Sequence, residues 1–258
     1  MYFCCMYTLK KSLGQHFLTN EIILGKIIAA LKEDPFQNLL EVGPGAGALT
    51  KELLKLENIN FKAVELDDEK VDYLHNKYPV LHGKIIHSDF LQFDKPFDET
   101  FTVIGNFPYN ISTQILFKIL DWKEEVPVVI GMFQKEVALR AASAPGSKTF
   151  GVLSALIQPF YDIEYLFDVP PQSFNPPPKV MSGMIRLRRK TETLKVRSDR
   201  SYKILVKTAF QQRRKTLRNG VKSLFEKEIL TDPIFDKRAE QLSIDDFAAL
   251  TFKMTGLK

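Results

Sequence analysis

Apolar positions along this chain keep two alternating rhythms as far as residue 188, and only one of them afterwards. After Asn20, a side chain suited to capping, Ile23, Ile27, Ala30 and Leu31 recur at helical spacing. A short apolar run at 39–42 ends in a glycine-rich turn that opens a further helix. Runs at 61–65, 84–90, 101–105 and 126–133 have the length and continuity of buried strands. Helical patterns at 113–120, 134–142 and 150–157 separate or follow them, and 161–169 and 184–188 read as two closing strands. The resulting order, β-α-β-α-β-β-α-β-α, predicts an α/β fold: an open, mostly parallel sheet with helices on both faces. Past residue 188 the strands stop. Residues 199–212, 215–225 and 244–252 have helical character, interrupted at Gly220 and Pro233. The predicted division is a sheet domain over 1–190 and a small helical domain over 191–258.

Charge sharpens that division. Residues 179–258 hold 20 Lys and Arg against 9 Asp and Glu, whereas the preceding 178 residues are net acidic. A basic C-terminal third implies a polyanionic partner such as nucleic acid, with a solubilising surface as the plainer alternative. Gln211 to Arg218 concentrates four cations, Arg213, Arg214, Lys215 and Arg218. The two cysteines, Cys4 and Cys5, are adjacent and give neither a disulfide framework nor a zinc site, which points to a reducing, cytoplasmic setting. Met1 to Met6 is too short for a signal peptide, and no apolar stretch reaches membrane-spanning length.

The candidate chemistry gathers at predicted strand ends. Gly43, Gly45 and Gly47 allow the backbone to approach a ligand closely, and Gly43 to Ala48 fits G-x-G-x-x-A. Glu65 ends the second strand, where a carboxylate suits ribose hydroxyls. Asp89 ends the third and can accept from an adenine amino group, with Phe90 packing on the base. Asn106, Phe107, Pro108 and Tyr109 follow the fourth. Taken singly, each residue has an ordinary structural reading as a turn, cap or solvated acid. Four of them on the carboxyl edge of one sheet point to a nucleoside-containing cofactor.

Up to this point a nicotinamide cofactor and S-adenosylmethionine both remain open. The four histidines make no metal pattern, and no G-x-S-x-G elbow is present. Instead, the Asn106 side-chain oxygen and the Pro108 carbonyl suit acceptance of hydrogen bonds from an exocyclic amine, and Tyr109 suits stacking on its ring. Methyl transfer to adenine N6 needs that set and little acid–base chemistry, with alignment supplying much of the acceleration.

Seven motifs carry a resemblance over nearly the whole chain. They are Gly14 to Leu18, Glu41 to Gly47, Asp89 to Leu91, Asn106 to Ser112, Phe133 to Glu136, Phe174 to Lys179 and Arg213 to Leu217. Together they resemble the ribosomal RNA adenine N6-dimethyltransferases, most closely the bacterial small-subunit type linked to kasugamycin sensitivity. The resemblance implies a Rossmann-like S-adenosylmethionine-dependent methyltransferase sheet with a small C-terminal helical domain. It implies dimethylation of two adjacent adenosines near the 3′ end of 16S rRNA within the 30S subunit, during ribosome biogenesis, by a cytoplasmic monomer without membrane contact. Cofactor contacts would come from His16, Leu18, Gly43, Gly45, Glu65, Asp89, Phe90 and Asn106. The catalytic set would be Asn106, Pro108, Tyr109 and Phe174, with Tyr109 and Phe174 flanking an unstacked base. RNA contacts would fall to Arg213, Arg214, Lys215 and Arg218. Two positions depart from many relatives, His16 for Asn and Phe107 for Leu.

Three alternatives carry different expectations. The large-subunit dimethylases of macrolide resistance share the core chemistry. A non-catalytic assembly factor on the same fold would not need Asn106 to Tyr109 or Glu65. Adenine DNA methylases and protein-glutamine methylases more typically show Pro-Pro-Tyr where Phe107, Pro108 and Tyr109 stand.

Overall fold

The computed structural model describes residues 16–192 and 194–255; Cys4, Cys5, Gly14 and Gln15 lie outside them. The chain divides into two compact units, one running up to Ala138 and including Glu164–Arg189, the other formed by Leu139–Ile163 with Lys190 onward.

Along the chain the elements begin with a two-residue strand β1 (Phe17–Leu18) and helix α1 (Glu21–Leu31), whose N-terminus Asn20 caps by accepting from the Ile22 and Ile23 amides. Then come β2 (Asn38–Val42), α2 (Ala48–Leu53), β3 (Asn60–Glu65), α3 (Asp68–Lys77), β4 (Ile85–His87), β5 (Phe101–Asn106), α4 (Ser112–Asp121), β6 (Val128–Gln134) and α5 (Lys135–Ala141). Helix α6 (Val152–Ile157) precedes β7 (Tyr161–Val169), β8 (Phe174–Asn175) and β9 (Ser182–Arg189). Seven strands form the main sheet in the order β4-β3-β2-β5-β6-β9-β7. The pairs from β4 to β6 are parallel, and β9 runs antiparallel to β6.

Both faces of the central strands are buried, as a parallel sheet requires. Leu39, Phe61, Ala63, Ile104 and Ile130 share one apolar cluster with Leu24 and Ile27 of α1, Leu49 and Leu53 of α2 and Leu74 of α3. Phe101, on the opposite face of β5, meets Trp122 just past α4, and Phe90 packs edge-on against the same indole. The chain builds outward from β2 through β3 to β4, then returns to place β5 on the other side of β2. The order therefore reverses between β2 and β5, and the loops following those two strands flank a crevice at their carboxyl ends.

Two stretches behave differently from their sequence pattern. Residues 17–18, just ahead of the first helix, pair antiparallel with 174–175, which lie between the prolines at 170–171 and 176–178. Thr19 reinforces the pairing through its amide and hydroxyl, both donating to the Ser173 carbonyl. Residues 139–163 cluster with the C-terminal segment, so a single cut after 190 does not describe the chain. Helix α6 is the reason. Its residues Leu153 to Ile157 are buried, and the Tyr202 hydroxyl of α7 (Asp199–Gln211) donates to the Ala155 carbonyl. Phe150, Phe210, Phe247 and Tyr202 continue this second core as a chain of ring contacts. The unit ends with the short α8 (Leu217–Gly220) and with α9 (Ile244–Lys253).

Candidate active site

The crevice between the β2 and β5 loops is a cleft in the first unit, and the sequence-derived residues His16, Leu18, Gly43, Gly45, Glu65, Asp89, Phe90, Asn106, Pro108 and Tyr109 all line it. Its floor is the glycine turn. Gly47 caps α2 at φ +78°, a left-handed conformation, and an added Cβ would strike Leu74 and Tyr78. An added Cβ at Gly45 would strike the Phe17 ring, so the β1 segment lies directly on this turn.

Glu65 ties the turn to the end of β3. It is 7% exposed, and its carboxylate accepts from the amides of Gly45, Leu66 and Asp67, each at 3.0 Å. Burial pushes its pKa up, and the three amides oppose that rise. A carboxylate offers about four lone-pair sites. Oε1 already accepts from Leu66 and Asp67 and Oε2 from Gly45 alone, so a diol gripped by both oxygens would take the free site on Oε2 and displace the Leu66 or Asp67 amide from Oε1. Asp89 accepts from the Leu91 amide at 2.9 Å through Oδ1, the ordinary turn contact, and this leaves Oδ2 toward other donors. The Phe90 ring is buried against Trp122 and lines the cleft.

The Asn106 to Tyr109 stretch is held from three sides. The Asn106 Nδ2 donates to the His16 carbonyl at 2.9 Å; a carbonyl only accepts, so the amide is oriented with Oδ1 as its acceptor end. The Pro108 carbonyl accepts the Ile111 amide at 3.1 Å and keeps a second lone pair. The Tyr109 hydroxyl shares a short hydrogen bond with Ser182, and burial raises the phenol's pKa, so the group stays protonated at neutral pH. His16 in turn donates from Nδ1 to the Pro176 carbonyl at 2.9 Å.

Phe174 is the exception. Its ring is 4% exposed, it faces Leu18 across the β1–β8 pair within the apolar cluster, and it does not line the cleft. The ring that meets Tyr109 belongs to His16, with centroids 5.6 Å apart and planes tilted by 31°. Pairing with β1 draws Phe174 inward, and among the described residues its ring makes no direct contact with the Tyr109 ring.

Among the lining residues that the sequence reading assigned no role are Leu66 and Glu41. Leu66 is 50% exposed, an apolar surface beside the Glu65 carboxylate. Glu41 lies under the glycine turn, accepts from Thr50 Oγ1 at 2.7 Å and is pushed up to about 8 by burial. An outward leucine after a strand-end acid was a readable signal for the first; the second needed its burial to be known.

Of the four basic candidates in the second unit, Arg213 donates to the Lys148 and Phe150 carbonyls, and Arg218 pairs with Asp236 at 2.9 Å and donates to the Leu230 carbonyl. Arg214 and Lys215 are exposed, and among the described residues neither meets an acidic partner.

A parallel sheet with this reversal, a glycine turn, a strand-end carboxylate and an amide–proline–aromatic stretch define the fold of the S-adenosylmethionine-dependent methyltransferases. The crystal structure of a dimethyladenosine transferase from Plasmodium falciparum matches it with a TM-score of 0.75 and 25% identity, over 90% of this chain and 94% of that one. The chain belongs to the ribosomal RNA adenine dimethylase family, whose profile matches residues 6–254. It is 50% identical to the ribosomal RNA small subunit methyltransferase A of Cytophaga hutchinsonii over 96% of this chain and 97% of that protein. The protein of the same name from Parabacteroides distasonis is also 50% identical, over 94% of this chain and 92% of its own length.

Proposed function

We propose that the chain dimethylates the N6 amines of two adjacent adenosines near the 3′ end of 16S rRNA in the small ribosomal subunit, with S-adenosylmethionine as donor. The observation that carries this reading is the oriented Asn106 amide, whose nitrogen is committed to His16 and whose oxygen is the free acceptor end. The half-shared sequence with small-subunit enzymes across almost the full length favours that substrate over the large-subunit alternative.

The cleft suits the cofactor. Leu66 offers an apolar face, Asp89 an acceptor for an amino group and Glu65 an acceptor for ribose hydroxyls, all around the glycine turn. Bound S-adenosylmethionine supplies an electrophilic methyl group on a cationic sulfur. Because the positive charge disperses during transfer, the protein needs no oxyanion hole. Its task is to hold a poorly nucleophilic amine, whose lone pair is delocalised into the ring. Asn106 Oδ1 and the Pro108 carbonyl accept the two N–H bonds, which favours a pyramidal nitrogen with its lone pair aimed at the methyl group. Tyr109 contributes its ring face rather than its hydroxyl, because that hydroxyl is bound to Ser182 and remains protonated. Phe174 holds β1 through its pairing with Leu18. Of the four basic candidates in the second unit, Arg214 and Lys215 are the two available for phosphate contacts.

Asn106→Ala tests the assignment. Labelled methyl transfer to unmethylated small subunits should fall at least tenfold, the loss of one well-placed acceptor, while cofactor affinity by calorimetry stays within about threefold. Unchanged turnover would remove Asn106 from the mechanism.

A further inference from the structure

We propose that Ser182 is a positioning residue for methyl transfer, acting through the hydroxyl of Tyr109; the proposal rests on the reading of Tyr109 as the wall of the acceptor site. Ser182 opens β9, pairs with Gln134 of β6 and is fully buried. It does not line the cleft, so it reaches the chemistry only through the Tyr109 hydroxyl, with which it shares a short hydrogen bond.

The geometry gives that bond leverage. A tyrosine ring pivots about two side-chain torsions at one end, and a hydrogen bond at the far end is the most effective place to stop the pivot. Here the ring is also bounded by the His16 imidazole. Ser182 is itself closely packed. An added Cβ at its neighbour Gly183 would meet the Tyr165 ring, so the strand is pinned by a side chain lying across it. The last strand added to the sheet thus fixes the plane on which the target base stacks. It follows that the Tyr109 hydroxyl is spent inside the protein and that only the ring face is presented to substrate.

A double-mutant cycle reads this directly. Ser182→Ala and Tyr109→Phe should each lower kcat on unmethylated small subunits about three- to tenfold, the range expected for one lost hydrogen bond. The double variant should fall no further than the worse single variant, and the KM for S-adenosylmethionine should stay within twofold throughout. Multiplicative losses, or a Ser182→Ala variant with wild-type kcat, would overturn the proposal. So would a Ser182→Ala variant that loses cofactor affinity in step with kcat, because that marks a general structural role. A second measurement does not depend on turnover. The 19F resonance of 3-fluorotyrosine placed at position 109 should shift or broaden in Ser182→Ala, and an unmoved resonance would refute the positioning role. If the wild-type protein transfers no methyl group to the subunits, the functional reading fails while the resonance still decides the contact.

Discussion

Glu41 is 2% exposed beneath the glycine turn, with the Thr50 hydroxyl as its hydrogen-bond partner and Glu65 as a charged neighbour. Burial lifts its pKa from an ordinary value near 4.5 to about 8, so the folded chain keeps a proton that the unfolded chain releases across that interval. The Glu41 contribution is therefore complete below about pH 4.5 and is lost as the pH climbs toward 8. Urea midpoints of the cofactor-free protein at pH 5 and pH 8 should show Glu41→Gln gaining on wild type at the higher pH. Parallel pH dependences in the two proteins would contradict the buried neutral acid. Glu65 and Asn106 were legible as site residues because each ends an apolar run. Glu41 was not, because its chemistry comes from the helix packed over it. The position of the Phe174 ring was not legible for a related reason: only the pairing with Leu18, distant in sequence, places it.

The parallel pair β5–β6 builds the wall behind Asn106 by leaving out side chains. Gly105 and Gly131 face each other in register, and the Phe107 ring lies over both, edge-on to Phe133 at 5.2 Å. A Cβ at Gly131 would come within 2.5 Å of the Phe107 ring and 2.6 Å of the Phe133 ring. Gly131→Ala should therefore destabilise by about 1–3 kcal/mol through overpacking. Phe107→Ala should cost about 3–5 kcal/mol. Phe107→Leu, the residue of many relatives, should cost under about 1.5 kcal/mol and leave methyl transfer nearly intact. Chemical unfolding checks all three, and a neutral Gly131→Ala would show that the space over the glycines is not needed. The parallel strands and their order of appearance were readable from continuous apolar runs. The β1–β8 pair was not, because strands of two residues have no periodicity and their neighbours bond across 154 positions of sequence.

On the scale of the whole chain, the basic C-terminal third was visible by counting, but counting cannot separate a free cation from one already engaged. Arg218 pairs with Asp236 and Arg213 bonds two carbonyls, whereas Arg214 and Lys215 are exposed. In RNA-binding titrations against salt, Arg214→Gln and Lys215→Gln should each reduce the slope by roughly 0.7–0.9, and Arg218→Gln by much less. An unchanged slope in the first two would mark them as ordinary surface. The single domain cut after residue 190 failed because the helix at Val152–Ile157 has the same apolar pattern as the helices that cover the sheet; its partner, α7, is a matter of tertiary packing. At this scale the molecule is defined by the reaction it performs. Exhaustive methylation of unmethylated small subunits, with mass mapping of the modified RNA, tests it most directly. The expected result is two adjacent N6,N6-dimethyladenosines near the 3′ end of 16S rRNA; methyl groups on 23S rRNA or DNA instead, or none on the small subunit, would contradict it.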